Sequence, residues 1–125
     1  MPADGLQALA GRKYLSLESR RKSGAAVATP VWFAVRGRRL YVVSLADAGK
    51  VKRIRNNPQV RVAPCDIRGG LEGDWIAARA AIVQGDEEAL GHRLIDDKYG
   101  WMRRVGNLFR RITRRERAII AIDLP

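Results

Sequence analysis

The stretch Ala25-Ala26-Val27-Ala28-Thr29-Pro30-Val31-Trp32-Phe33-Ala34-Val35 is dense in β-branched and aromatic residues, and after Arg36-Gly37-Arg38 the run Leu40-Tyr41-Val42-Val43-Ser44 repeats that character. Such side chains suit a pleated, half-buried surface, and a glycine between arginines turns the chain, so the two runs predict a β-hairpin. Upstream, Lys13 to Glu18 alternates loosely through Tyr14, Leu15 and Leu17, and Arg21-Lys22-Ser23-Gly24 supplies the turn of an earlier hairpin. Pro30 has no N–H to give a ladder. It marks an edge, a bulge, or a place where the backbone faces a ligand instead of another strand.

Beyond Ser44 the pattern changes. Leu45 to Gly49 reads as a loop, and Lys50 to Asn57 as a short basic helix with Val51 and Ile54 on one face, stopped by Asn56-Asn57-Pro58. Gln59 to Ala63 alternates as a strand, Arg68-Gly69-Gly70 turns the chain, and Trp75 to Val83 is apolar enough for a long central strand. Asp86, Glu87 and Glu88 make an acidic start for a helix carrying Leu90, Leu94 and Ile95 and ending near Tyr99-Gly100. A second helix is expected from Trp101 to Arg115, with Val105, Leu108, Phe109 and Ile112 at helical spacing, followed by a buried strand over Ala118 to Ile122. Six strands, glycine-rich turns and a few helices read as one small β-barrel of the α+β, mainly β, class spanning residues 1–125.

The composition bounds the function. One domain is all that 125 residues accommodate, and 46% apolar residues are enough for a real interior, which argues against disorder. No apolar run approaches the ~20 residues of a membrane span, and Met1-Pro2-Ala3-Asp4-Gly5 lacks the basic and apolar regions of a signal peptide, so a soluble, cytoplasmic protein is expected. Cys65 is the one cysteine and His92 the one histidine. That excludes an intramolecular disulfide framework and metal sites built on several of either residue.

Lys and Arg total 24 against 13 Asp and Glu, a formal charge of +11, and the excess is clustered. Arg36 to Arg61 holds eight basic residues against Asp47 alone, and Trp101 to Arg117 holds seven arginines against Glu116 alone. Such fields serve partners rich in phosphate or carboxylate, or simply keep a small protein soluble.

No acid–base or nucleophilic pair declares itself. His92 falls mid-helix and reads as a packing or solvent-facing residue, Cys65 after Pro64 as a small buried hydrophobe, and the adjacent Asp96 and Asp97 as solvent-exposed, since neighbours on a helix point apart. The strongest local feature is Gly49-Lys50-Val51-Lys52-Arg53 between a strand and a helix: a helix start offers open N–H groups, and Lys50 adds a point charge. The pattern suits an anion pocket, though an ordinary solvated basic helix has the same composition, and the Walker spacing is absent. A planar heteroaromatic ligand lying across Ala28 to Phe33 would find free backbone groups flanking Pro30, with Val31 or Trp32 to pack its face. An edge strand filling a core gives the same pattern.

Taken in this order, Lys13-Tyr14-Leu15-Ser16-Leu17, Ala28 to Phe33, Gly49 to Pro58, Ala63-Pro64-Cys65-Asp66 and Lys98-Tyr99-Gly100-Trp101 closely resemble the pyridoxamine 5'-phosphate oxidase-like split-barrel flavin and deazaflavin oxidoreductases. The likeness is to their F-420-dependent branch and runs from Lys13 to Ile122. It implies a homodimer of six-stranded split barrels, related to FMN-binding split barrels, with two cofactor sites at the subunit interface. Lys50 matches the family's phosphate-binding lysine, with Gly49, Val51, Lys52 and the helix start in support, and Ser44 matches a hydroxyl that reaches the same phosphate. Thr29, Pro30, Val31 and Trp32 match the strand under the deazaflavin ring, and Trp75 an aromatic that approaches it from the partner subunit. Ala48 departs from the serine that members often carry before Gly49, which leaves a secondary phosphate contact unaccounted for.

On this resemblance the chain is an oxidoreductase using reduced coenzyme F-420 for hydride transfer to a small electron-poor substrate such as a quinone or enone. The protein then has to hold donor and acceptor and exclude water, which accounts for the missing catalytic pair. Tyr99 and Thr29 are candidate proton sources beside solvent, with purely structural roles the alternative. FMN is the alternative cofactor. F-420 is favoured because its phosphodiester and oligoglutamate tail would engage Lys52, Arg53 and Arg55. A nucleic-acid-binding module using both basic clusters, or a cofactor carrier without turnover, are the readings from other classes. Neither specific nucleic-acid recognition nor integral membrane association is expected.

Overall fold

The computed structural model describes residues 5–103 and 117–125. A short helix α1 (Gly5–Leu9), which the sequence pattern did not announce, places Leu9 fully inside, and its Gly5 lies so close to Ile76 that a Cβ there would sit 2.8 Å from the isoleucine Cδ1. Strands β1 (Leu15–Arg20), β2 (Ala26–Val31), β3 (Phe33–Arg36) and β4 (Arg39–Leu45) follow, then helix α2 (Gly49–Asn56), strands β5 (Gln59–Pro64) and β6 (Ile76–Val83), helix α3 (Asp86–Arg103) and strand β7 (Arg117–Asp123). The turns between β1 and β2 and between β3 and β4 carry Gly24 and Gly37 at φ of 92° and 60°, where a Cβ would be strained.

All strands join one antiparallel sheet in the order β2-β1-β5-β6-β7-β4-β3. The run read as one strand from Ala25 to Val35 is therefore two, and they form opposite ends of the sheet with Trp32 alone between them. In a flat sheet those ends would be about 29 Å apart at ~4.8 Å per strand. One intervening residue spans only about 7 Å. The sheet must therefore curl until its ends meet, and counting the bent β2–β3 run once gives the six strands of a split barrel.

Alternation along each strand then sorts residues between interior and exterior. Leu15 and Leu17, Val60 and Val62, Leu40 and Val42, and Ile120 and Ile122 fill the inside, all 4% exposed or less. α2 adds Val51 and Ile54 to this core, the face expected from their i,i+3 spacing. β6 is central as expected, but Ala77, Arg79 and Ala81 on its outer face stand in solvent.

The long helix α3 covers the outside of β3, β4 and β7, burying Tyr41, Ile119 and Ala121 under Leu90 and Leu94, and Ala34 under Ile95 and Tyr99. Gly91 permits this approach, since a Cβ there would fall 2.6 Å from Ile119 Cγ2. Arg39 ties the layers together, gripping Asp123 through Nε at 2.7 Å and Nη2 at 3.1 Å and pairing with Glu87 of α3, which also accepts the Tyr41 hydroxyl at 3.0 Å. The helix expected to end near Tyr99-Gly100 instead runs through Gly100 to Arg103. A single glycine costs a helix only about 1 kcal/mol, which the packing of Ile95 and Tyr99 offsets. The expected helix from Trp101 to Arg115 lies, apart from its first three residues, outside the described residues, as does most of the second basic cluster.

Candidate functional site

The bend at Trp32 opens a cleft of about 310 Å³ between the ends of the curled sheet. Pro30, Val31 and Trp32 form one wall, Val43, Ser44 and Leu45 at the end of β4 another, Ala48 and Lys50 at the head of α2 the floor, and Tyr14 and Ile67 the rim. Five of the residues expected around a cofactor (Pro30, Val31, Trp32, Ser44 and Lys50) thus meet in one place although they span 21 positions of sequence.

The head of α2 is electrostatically open. Its cap residue Ala48 has no side-chain bond to offer, its first turn holds no acid, and its carbonyl takes the N–H groups of Val51 and Lys52 at 3.1 and 3.4 Å. The N–H groups of Gly49 and Lys50 have no partner among the described residues. Half-burial lowers the Lys50 ammonium below the usual lysine value, and the neighbouring Arg53 guanidinium adds to the effect. Arg53 bends back along the helix: its Nε donates to Ser19 Oγ at 2.7 Å, and its Nη1 lies 2.6 Å from where a Gly49 Cβ would be. Burial also lowers Arg53, with Arg21 of the first hairpin turn a further cause. Three cations thus run from the cleft toward the β1–β2 turn, and no carboxylate is among the groups perturbing Lys50 or Arg53. These positions fit a bound phosphate: open donors, a half-buried cation and, among the described residues, no acid in the first turn of the helix.

Other expected positions fall differently. Gly49 is exposed at the helix start, whereas Val51 is fully buried in the core with its N–H on the Ala48 carbonyl, so the expected contact from Val51 has no open group behind it. Lys52 is exposed and outside the cleft lining. Thr29 turns inward opposite Leu17, and its Oγ1 is enclosed without a hydrogen-bond partner among the described residues. Ser44 Oγ donates to the Leu45 carbonyl at 3.2 Å. Trp75 lies under the Arg61 guanidinium, 4.8 Å from ring centroid to Cζ, and does not line the cleft of its own chain.

Tyr99, a candidate proton source, is buried at 2% exposure with its hydroxyl on main-chain groups, and burial pushes it up to about 12. Its proton is committed away from the cleft. His92 is buried in α3 outside the cleft lining; Cys65 is buried, its thiol pushed up by burial and by Asp66 and Glu72. Asp97 is exposed as expected, whereas Asp96 is half-buried. A larger groove of about 570 Å³ along β5 and β6, with Arg20, Arg61 and Arg79, gathers none of the expected residues.

Sequence reasoning missed Leu45 and Ile67 as parts of the site. They are 47% and 66% exposed, unusual for large apolar side chains, and both border the cleft. Lys98, outside the cleft lining, stands behind its wall: its ammonium sits 3.7 Å from the Phe33 ring centroid and burial lowers it to about 8. None of the three stands out in a periodic pattern, so only the folded arrangement reveals them.

The sequence pattern of the pyridoxamine 5'-phosphate oxidase family matches residues 3–124. The chain belongs to that family. No curated protein matches it by sequence. Among solved structures, an F-420 reductase is 20% identical over all of this chain and 96% of its own, with a TM-score of 0.65. An FAD-binding protein from Mesorhizobium loti is 18% identical over 97% of this chain and 87% of its own, with a TM-score of 0.66. The heme storage protein HutZ from Vibrio cholerae is 14% identical over 95% and 86%, with a TM-score of 0.68. These relatives share the family fold and differ in what they bind. No described helix is long and apolar enough to cross a membrane.

Proposed function

We propose that this family member is an oxidoreductase that holds coenzyme F-420 in the Trp32 cleft and reduces a small, apolar, electron-poor substrate such as a quinone or enone. The observation that carries the reading is the pairing, within one cleft, of an aromatic wall with a desolvated Lys50 beside two open N–H donors. When bound, a reduced deazaflavin supplies a hydride to an electron-poor carbon. Lys50 and the N–H groups of Gly49 and Lys50 would hold the phosphate, and Pro30, Val31 and Trp32 would pack the ring. Leu45 and Ile67 at the mouth would limit water. No positioned nucleophile or acid–base pair is needed for that chemistry, and none lines the cleft among the described residues.

FMN, with its phosphate monoester, would use the same Lys50 pocket and is the second reading. The cationic run from Lys50 through Arg53 to Arg21 favours F-420, whose oligoglutamate tail supplies carboxylates where FMN has none. It moves the expected tail contacts from Lys52 and Arg55 toward Arg53 and Arg21. We further propose a homodimer, in which Trp75 would meet the partner's cofactor site.

Fluorescence titration of the purified protein with F-420 and with FMN tests the assignment. Tighter binding of F-420 is expected, and tighter binding of FMN overturns the choice of cofactor. Binding without reduction of any quinone or enone would indicate a carrier. Binding of neither, with DNA or RNA affinity falling steeply with salt, would indicate a nucleic-acid module.

A further inference from the structure

Tyr99 stands between α3 and the cleft without lining it. Its ring stacks on the Trp32 indole, centroids 4.4 Å apart and planes within 3°. Its hydroxyl accepts the Phe33 N–H at 3.1 Å and faces two acceptors for its one proton, the carbonyl oxygens of Lys13 at 2.7 Å and Phe33 at 3.0 Å. These are the main-chain groups flanking two cleft residues, Tyr14 and Trp32, at the point where the β2–β3 run leaves the ladder. Phe33 opens the edge strand β3 opposite Val42, and main-chain groups on an open edge need partners from elsewhere; here the phenol oxygen takes the Phe33 N–H and its one proton is shared between the Lys13 and Phe33 carbonyls. A tyrosine that only filled the core would need one partner for its hydroxyl. This one bonds main-chain segments from both sides of the cleft wall and covers one face of the indole as well.

We infer that Tyr99 is a positioning residue: by stacking on Trp32 and binding the Lys13 and Phe33 main chain, it presets the wall against which a flat ring packs. The inference rests on the cofactor reading for the ring's identity but not for the geometry. Tyr99 touches neither ligand nor reacting atoms. With Lys98 above the Phe33 ring, at 5.2 Å from the Tyr99 centroid, it makes the C-terminal part of α3 a brace for the cleft.

The test is a double-mutant cycle on the full chain, combining Tyr99→Phe with Trp32→Leu. Three readouts are taken: Kd for F-420 and FMN, visible circular dichroism of the bound ring, and the Trp32 indole N–H resonance without ligand. Tyr99→Phe keeps the stack and removes the hydrogen bonds. It is expected to weaken ring binding about three- to tenfold, to change the dichroism of the bound ring, and to move the Trp32 resonance. In the Trp32→Leu background the same change should cost less than about twofold. A merely structural role would lower thermal stability in both backgrounds while leaving Kd, dichroism and resonance as they were, and additive losses of affinity would overturn the inference equally. If the wild-type protein binds neither cofactor, the cofactor reading fails; a Trp32 resonance unmoved by Tyr99→Phe then overturns the positioning role, and a moved one supports it. Should Tyr99→Phe not fold, Trp32→Phe reads the stack from the other side: a lost dichroic signal supports the preset wall and an unchanged one overturns it.

Discussion

Replacing Lys50 with Met removes the charge at the cleft floor and keeps most of the side-chain stem, so packing over α2 is little disturbed. A lysine ~4 Å from a phosphate charge, at an effective dielectric near 20, gains about 4 kcal/mol before desolvation. The phosphate must shed water to gain it, whereas Lys50 is already half-buried and its neighbour Arg53 is a like charge. A hydrogen bond to a charged group nets about 1.5–3 kcal/mol, which corresponds to roughly a 10- to 150-fold weaker Kd for Lys50→Met. In the ligand-free protein the sign reverses. An ammonium held below its ordinary value by burial opposes folding, so Lys50→Met should raise the thermal midpoint.

The pH dependence follows from the same group. Lysine is lowered in the free protein and an incoming anion raises it again, so binding takes up a proton on the alkaline side and wild-type affinity falls there. The variant should lack that fall. Fluorescence titration of F-420 and FMN between neutral and alkaline pH, beside a thermal melt without ligand, measures all three effects. A Kd within twofold of wild type, with the alkaline fall retained, would remove Lys50 from the site.

Two further outcomes test the scaffold. Glu18 on β1 is 6% exposed and accepts two bonds of 2.7 Å from Arg61. That pairing is the chief reason its carboxyl is held below the ordinary value, so its stabilisation is present above the unfolded carboxyl's pKa and is lost as pH falls through the lower folded value. Melts of wild type and Glu18→Gln should therefore differ most near neutrality and converge in acid; a constant gap would contradict the assignment. Gly91→Ala pushes a methyl group against Ile119 Cγ2 where α3 meets β7, and is expected to cost about 1–3 kcal/mol in urea unfolding, as overpacking does; an unchanged midpoint would show that the helix is not so closely seated.

Much of this architecture is written in local residue choices. The turns at Gly24 and Gly37, the apolar pair Val51 and Ile54, and the acidic start of α3 each depend on neighbours a few positions away, and each forms where the sequence places it. The open head of α2 is legible for the same reason: a lysine after a glycine, with no capping side chain, is a statement about one turn of chain. The largely apolar run from Ala25 to Val35 is not self-explanatory in that way. No residue within it reports that its halves form opposite ends of one sheet, because that follows from closure over the whole barrel. Pro30 offered three meanings, and the fold realises the edge, with β2 at one end of the sheet and Pro30 in the cleft wall.

The sequence by itself determined most of the elements, the basic helix start at Gly49-Lys50 and the family to which they belong, since hairpin, cap and helix-face energies are set by residues close in the chain. Only the tertiary structure decided that Trp32 is the bend, that Tyr99 fastens it, and that Leu45 and Ile67 stand at the mouth. Those relations join residues tens of positions apart. They arise from curling the sheet and seating α3 against it, and the packing of the whole barrel outweighs what a short window of residues prefers.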